Sequence, residues 1–200
     1  MEAQTAWTNT THDWSKSVDQ EHLQLVRDHH GDYAPTGLLH LVLETLAYAD
    51  DEAESLGRRG HCTVTSHSDG SVSVTDNGRG TDTRRNEHGR LVRKPVMATK
   101  DLRFFDEATV VLPDGHPRRG MSVVAALSVW LEHTNHRADG AWTQRYEYGV
   151  PVADLTDIPT STRTGTTVRF RPDPRLVAVD GVDLTAFGGF HWLTVESTRG

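Results

Sequence analysis

The sequence has a single cysteine, Cys62, and no long apolar run among its 200 residues. One thiol excludes an internal disulfide and any zinc site built from cysteines, which suits a reducing compartment. A membrane helix needs about 20 consecutive apolar residues, and a signal peptide needs an apolar core that the polar stretch 1–13 lacks. We therefore expect a cytoplasmic protein that does not interact with membranes.

The sequence also lacks an excess of positive charge, since 21 Lys and Arg stand against 28 Asp and Glu, for a net charge of -7. Binding nucleic acid requires a basic surface that neutralises several phosphates, so we do not expect a nucleic-acid partner. The basic residues are nonetheless concentrated between positions 84 and 119. This concentration indicates either a solvated, flexible loop or a loop that binds an anion.

The composition is that of a globular protein, with 36% hydrophobic and 24% charged residues, and the length fits one domain. We assign residues 1–20 to a loose N-terminal arm, 21–175 to the domain and 176–200 to a weakly patterned tail. Within the domain, residues 81–119 are charged and interrupted by glycine and proline, which predicts a lid or a disordered loop.

Apolar residues recur at helical spacing in three segments. They predict a short helix over Glu21–His29, a long helix over Gly37–Leu56 with Thr36 as its N-cap, and a helix from Gly120 to about Trp130. Period-two alternation predicts strands at Cys62–Thr65, Ser71–Val74, Val129–His136, Ala141–Tyr148 and Thr166–Phe170. These elements indicate an α+β fold, a two-layer sandwich whose mixed, mostly antiparallel sheet is covered by helices on one face.

One group of residues is suited to holding a flat ring that carries an amine. Asp76 directly follows a predicted strand, and Gly78 and Gly80 come after it at alternate positions. A carboxylate accepts from an amine, and glycines let a ring approach the backbone closely. Asp-Asn-Gly after a strand is by itself more often a simple turn. Glu44 on the polar face of the long helix and Thr166 at the start of a late strand favour the binding interpretation.

Motifs in the same order along the chain resemble the ATP-binding domain of gyrase B and its relatives, the GHKL family with the Bergerat-type fold. The first are Gly37-Leu38-Leu39-His40-Leu41-Val42-Leu43-Glu44, Asp51-Glu52-Ala53 and Asp76-Asn77-Gly78-Arg79-Gly80, similar to the family's first two ATP motifs. Further similar stretches are residues 122–131, 144–151 and 164–174. The resemblance covers roughly residues 23 to 174, so residues 21–175 are interpreted as a gyrase B-like nucleotide-binding domain.

The resemblance implies ATP or ADP as the ligand and implies roles for the matching residues. Asp76 would bind the adenine amine with help from Thr166, while Gly78 would line the base pocket next to Gly80. Glu44 would be the general base that activates the attacking water. Arg79 would pair with Glu52 beside the adenine.

Tyr48 is the first departure from the family's pattern. The family has an Asn that ligates magnesium four residues after the catalytic Glu, and here that position is Tyr48. A phenol is bulky and a poor ligand at neutral pH, whereas magnesium needs hard oxygens in a tight octahedron. We therefore expect magnesium binding to be impaired. The 12 histidines offer no pair spaced as metal ligands on one face, so no other metal site is predicted.

The glycine box that binds phosphate is the second departure. The family runs Gly-Gly-Leu-His-Gly-Val-Gly, and this chain has Asp114-Gly115-His116-Pro117-Arg118-Arg119-Gly120. Pro117 removes a backbone donor, and side chains in place of glycine restrict the turn that aims N–H groups at phosphate. Gly120 is retained. Arg118 and Arg119 either supply positive charge to the phosphates instead or are solvated.

Length is the third departure. In the family a transducer domain and DNA-cleaving parts follow the ATPase region, and the 26 residues after Pro174 hold neither. We therefore expect that the chain does not make up a complete topoisomerase. The arm through which gyrase B dimerises is not recognisable in residues 1–20, so a homodimer and another protein partner both stay open.

The leading hypothesis is a stand-alone ATP- or ADP-binding module with weak or absent hydrolysis. The alternative is an enzyme that reuses the pocket for acid/base chemistry on another small metabolite, for instance a phosphorylated one. Glu44, Tyr48 and His40 would then be its catalytic groups, since His40 precedes Glu44 by one helical turn and can tune it. A regulatory or decoy protein that contacts gyrase or another partner is the third hypothesis.

Overall fold

The computed structural model describes residues 19–81, 83–85, 91–93, 110–176 and 184–200. Most of the predicted N-terminal arm and most of the predicted lid lie outside these residues. The last two residues of the arm belong to the first helix, because Asp19 caps it and Gln20 begins it. The loop from 110 to 120 that leads out of the lid is described in full.

Two longer helices and two short ones are present in the described part of the chain. They are α1 (Gln20–Asp28), α2 (His30–Tyr33), α3 (Leu38–Ser55) and α4 (Met121–Ala126). The predicted N-cap of α3, Thr36, is wrong, because Gly37 with φ of 61° takes that position. The Thr36 hydroxyl instead donates to Asp114 Oδ2 at 2.7 Å.

The predicted end of the second core helix near Trp130 is also wrong. Helix α4 has only six residues, all of them buried, and the chain is already a strand from Ser128 onward. The Ser128 hydroxyl donates to Val124 O at 2.6 Å, which occupies an acceptor of the last helical turn. From Leu131 the buried positions alternate with period two, so the same apolar residues serve a strand.

Eight strands form one sheet in the order β10-β1-β2-β9-β5-β6-β7, with β8 paired to β6. Their bounds are β1 Gly60–Ser66, β2 Val72–Asp76, β5 Ser128–Arg137, β6 Gly140–Glu147, β7 Val150–Pro151, β8 Thr156–Asp157, β9 Gly165–Pro172 and β10 Leu193–Arg199. Strands β3 (Thr83–Arg85) and β4 (Leu91–Arg93) form a separate ribbon. Among these described strands only β1 and β10 pair in parallel, so the prediction of a mixed, mostly antiparallel sheet is confirmed.

Strand β10 was missed by the sequence analysis. It lies in the predicted tail and pairs with β1 in the register Gly60↔Leu193. Its pattern is weak because only Leu193 is fully buried, while most of its other side chains face solvent. An edge strand of this kind carries little hydrophobic periodicity, so the sequence alone does not reveal it.

The core lies between one face of the sheet and the helices, as predicted for a two-layer sandwich. Helix α3 contributes the largest share of its buried side chains, and α4 is buried completely. The core includes Leu23, Leu41, Leu46, Val64, Val74, Val123, Leu127, Leu131, Tyr146, Val168 and Phe170. No helix in the described ranges is both long enough and apolar enough to span a bilayer.

Candidate functional site

A cavity of about 170 Å³ lies between the sheet and helices α3 and α4. Its walls are mostly apolar, and its polar groups come from the ends of strands and from one face of α3. The lining residues are Thr45, Tyr48, Ala49, Glu52, Val74, Asp76, Gly80, Thr81, Met121, His133, Thr166 and Val168. Five residues that the sequence pointed to are therefore together here: Tyr48, Glu52, Asp76, Gly80 and Thr166.

Asp76 and Thr166 meet because their strands are neighbours. Val74 pairs with Val168 across β2 and β9, which brings the end of β2 beside the start of β9. Gly78 donates its N–H to Asp76 Oδ1 at 2.7 Å, and Thr166 also hydrogen-bonds the carboxylate. Burial raises the pKa of Asp76 above its ordinary value, and these hydrogen bonds only partly oppose the effect. The result is a partly buried acceptor on the wall of an apolar cavity.

The loop after Asp76 is fixed at the rim of the cavity by an ion pair. Arg79 Nε donates to Glu52 Oε1 at 2.7 Å, and Arg79 Nη2 donates to Glu52 Oε2 at 3.0 Å. Hydrogen bonding to Arg79 holds the pKa of Glu52 below its ordinary value. A β-carbon at Gly78 would come within 2.9 Å of both Asp76 Oδ1 and Glu52 Cγ, so a side chain does not fit there.

Asn135 and His133 belong to the site, although the sequence analysis did not identify them. The buried Asn135 accepts from Thr81 N at 2.6 Å and so holds the loop that follows Gly80. His133 is only 4% exposed and lines the cavity, where burial lowers its pKa to about 4. It is therefore a neutral ring at physiological pH. The sequence signal for both residues was that a polar side chain occupies a position of β5 that faces the core.

Glu44, the general-base candidate, and His40 lie away from the cavity wall. Both side chains are fully buried, and neither lines the cavity. One Glu44 oxygen accepts the backbone N–H of Arg119, and the other accepts the N–H of Gly120 at 2.8 Å. The general-base candidate is thus bonded to the start of α4.

His40 lies between two carboxylates. Its Nδ1 is 2.7 Å from Asp114 Oδ2, and its Nε2 is 3.5 Å from Glu44 Oε1. Burial opposes the charging of His40, but the bonds and charges of Glu44 and Asp114 outweigh it, so its pKa is raised. Burial likewise opposes the charge of Asp114, whose pKa is nevertheless lowered by Thr36 and His40. A protonated imidazole between two carboxylates is the arrangement that these shifts favour.

Replacing Asp114 with Asn should therefore destabilise the protein in a pH-dependent way. Because the pKa of His40 is higher in the folded protein than in the unfolded chain, protonation of His40 stabilises the fold. This stabilisation is fully present below a pH of about 6.5, the pKa in the unfolded chain, and is lost as the pH rises through the pKa in the folded protein. We expect Asp114→Asn to cost about 1–3 kcal/mol at pH 5.5 and less at pH 9. Thermal unfolding at both pH values measures this, with the exposed Asp154→Asn as control. An equal loss at both pH values would contradict the charged pair.

The side chain of Arg118 is buried and not solvated. It is 4% exposed and donates to Asp51 through Nη1 at 3.0 Å and Nη2 at 2.8 Å. Its guanidinium lies over the ring of Tyr48, 5.0 Å from the centroid. The solvated alternative is therefore wrong for Arg118, whereas the alternative that it supplies positive charge to phosphates stays a prediction.

The surroundings of Tyr48 bear on the expectation that magnesium binding is impaired, which stays a prediction. No group of three or more His, Cys, Asp or Glu side chains in the described ranges is placed to hold a metal ion. At the position of the family's ligand, the Tyr48 ring is covered by a cation.

Comparison with known proteins gives a consistent set of relatives, although no family model matches the chain. The chain is 40% identical over 149 residues to DNA gyrase B of Thermotoga maritima, an alignment that covers 72% of this chain and 23% of that protein. It is 39% identical over 146 residues to DNA gyrase B of Haloferax volcanii, covering 68% and 22%. It is 35% identical over 162 residues to the B-type subunit of DNA topoisomerase 4 from Bacillus subtilis, covering 78% and 25%. The chain thus spans about a quarter of the length of these curated relatives.

Proposed function

The matched part of the chain belongs to the family of gyrase B-like ATPase domains, and on that premise we propose that it binds ATP or ADP and hydrolyses it slowly or not at all. The observation that carries the proposal is Asp76, a carboxyl acceptor on the wall of a mostly apolar cavity. Such an acceptor is suited to the exocyclic amine of adenine. The activity of the full-length relatives does not transfer, because the chain spans only a fraction of their length.

The size and walls of the cavity support a nucleobase as the bound part of the ligand. Its volume of about 170 Å³ is smaller than the roughly 300–1,000 Å³ of pockets for drug-sized ligands. Val74, Val168 and Met121 offer apolar surface to a flat ring. Thr166 beside Asp76 offers a second polar contact at the same edge.

Three observations support weak or absent hydrolysis. The carboxylate of Glu44 is bonded to two backbone N–H groups and is closed off from the cavity. Tyr48, at the position of the family's magnesium ligand, offers a phenol covered by the Arg118 guanidinium, whereas magnesium needs hard oxygen ligands. Phosphoryl transfer depends almost entirely on positioning and charge neutralisation, so a base without an oriented phosphate has little effect.

The alternative of acid/base chemistry on another metabolite has one supporting observation, the Asp114–His40–Glu44 chain of ionisable groups. Against it stands the complete burial of His40 and Glu44. General acid/base groups must come within hydrogen-bond reach of the substrate, directly or through one water. We therefore keep adenine-nucleotide binding as the first proposal.

The test of the hydrolysis proposal is a magnesium-dependent ATPase assay on wild type, Glu44→Ala and Tyr48→Asn. We expect wild-type turnover to equal that of Glu44→Ala, because the base is not engaged in catalysis. Tyr48→Asn should produce at most a small increase, since Arg118 and the Glu44 contacts remain in place. Robust wild-type turnover that Glu44→Ala abolishes would restore the plain ATPase interpretation. No binding of any adenine compound would instead favour a regulatory role through a protein partner.

A further inference from the structure

The loop 110–120 is attached to helix α3 by three carboxylates. The loop itself is a small hairpin, in which Arg118 N donates to Val110 O and Leu112 N donates to His116 O, both at 2.8 Å. Asp114 in the loop binds His40 of α3. In the opposite direction, Glu44 and Asp51 of α3 bind the loop at positions 118–120. The contacts adjoin the cavity through two of its lining residues, Tyr48, which lies under the Arg118 guanidinium, and Met121, which follows Gly120.

The first set of donors at this side is the pair of N–H groups of Arg119 and Gly120. Successive backbone N–H groups of this kind form an anion-binding concavity when they are available. Here both are taken by the carboxylate of Glu44, which is fully buried. An incoming phosphate would have to displace Glu44 and leave its charge without these partners.

The second set of donors is the guanidinium of Arg118. Its two Nη groups bind both oxygens of Asp51, and its remaining Nε is buried without a hydrogen-bond partner among the described residues. The planar geometry of a guanidinium favours two-pronged contacts of the same kind with a phosphate or a carboxylate. Asp51 therefore occupies the face that a phosphate would use.

We propose that ATP and ADP bind this cavity through the adenine alone and that their phosphate chain adds no affinity, so that adenosine binds at least as tightly, because Glu44 and Asp51 occupy the described anion donors beside the cavity. The inference rests on the proposed function, namely that the cavity holds adenine at Asp76. ATP would have to break two sets of charge-assisted contacts and place its phosphates beside two released carboxylates. Like charges at short range repel, so the phosphate chain weakens binding instead of strengthening it.

The cavity volume of about 170 Å³ accommodates only the base of a nucleotide. A phosphate chain attached to the base must therefore extend beyond the cavity. Its route past Tyr48 meets the guanidinium of Arg118, already neutralised by Asp51. The charge of that guanidinium becomes usable for a phosphate only when Asp51 is removed.

The experiment measures the affinities of adenosine, ADP and ATP by calorimetry in EDTA, for wild type, Asp51→Ala and Glu54→Ala. Asp51 is half-exposed, so its removal should leave the fold intact and free Arg118. Glu54 is an exposed carboxylate on the same helix, and its replacement removes the same charge while leaving the Asp51–Arg118 pair in place. The adenosine affinity of each variant reports whether the base pocket is intact.

We expect wild type to bind adenosine at least as tightly as ATP. Asp51→Ala should raise ATP affinity about tenfold with adenosine affinity unchanged, and Glu54→Ala should change neither. Wild-type ATP affinity tenfold above that of adenosine, or an equal effect of the two variants, would overturn the inference and leave adenine binding intact. Absence of binding for all three compounds would overturn the proposed function and this inference with it.

Discussion

Replacing Asp76 with Asn should lower the affinity for adenosine and ADP by about tenfold or more. The Asn carbonyl keeps the hydrogen bond from Gly78 N–H, which leaves its NH₂ group facing the adenine amine. Two donors then meet in a partly apolar cavity, and an unsatisfied buried polar group costs about 1–3 kcal/mol. A cost of about 1.4 kcal/mol corresponds to a tenfold change in affinity.

Calorimetric titration of wild type and Asp76→Asn with adenosine and ADP measures the effect. The exposed Asp154→Asn is the matched control, since it makes the same chemical change far from the cavity. Thermal unfolding of all three proteins separates lost binding from lost folding. Equal ligand affinity in wild type and Asp76→Asn would exclude the adenine-binding role of Asp76.

Replacing Gly165 with Ala should destabilise the protein by about 3 kcal/mol or more, which is a large value for a single substitution. Gly165 has φ of +137°, a region that side chains rarely adopt. A β-carbon there would collide with the carbonyl oxygen of Asp76 and lie 3.0 Å from its carbonyl carbon. Both obstacles are backbone atoms at the end of β2, an inner strand of the sheet, so neither can move aside cheaply.

Thermal unfolding tests this prediction, because 1 kcal/mol corresponds to about 2–4 °C for a domain of 150–250 residues. We therefore expect a drop of roughly 6–12 °C for Gly165→Ala. Gly140→Ala is the control, since Gly140 begins β6 and a β-carbon there meets nothing within 4 Å. A Gly165→Ala protein as stable as Gly140→Ala would show that the close approach of β9 to Asp76 is not needed.

The strand-end positions of Asp76 and Thr166 were predictable from local pattern, whereas the family resemblance, and not the pattern, placed the two residues together. Asp76 ends an alternating strand, and Thr166 begins another. Two residues at the same edge of one sheet come together whenever their strands are adjacent. The Arg79–Glu52 pair joins a turn to the last part of a helix whose length the periodicity already indicated.

The contacts between loop 110–120 and α3 were not predictable in the same way. The contacts of Glu44 with Gly120 and of Asp51 with Arg118 join residues that are more than 60 positions apart. Whether a buried carboxylate bonds to a backbone N–H or faces a ligand depends on how the loop packs on α3. No spacing in the sequence encodes that choice. The substitutions of Tyr48 and Arg118 showed that this region had changed, but not what had replaced it.

The parallel pairing of β10 with β1 has a consequence for how the sheet assembles. The hairpin of β1 and β2 is local, since five residues separate its strands. The β1–β10 ladder instead joins Gly60 to Leu193, so most of the described chain lies within the loop that it closes. Closing long loops costs entropy before any contact compensates for it, and folding slows as contacting residues lie farther apart in sequence. Folding speed is therefore limited by the sheet's non-local ladders, whereas its helices and hairpins form on shorter timescales.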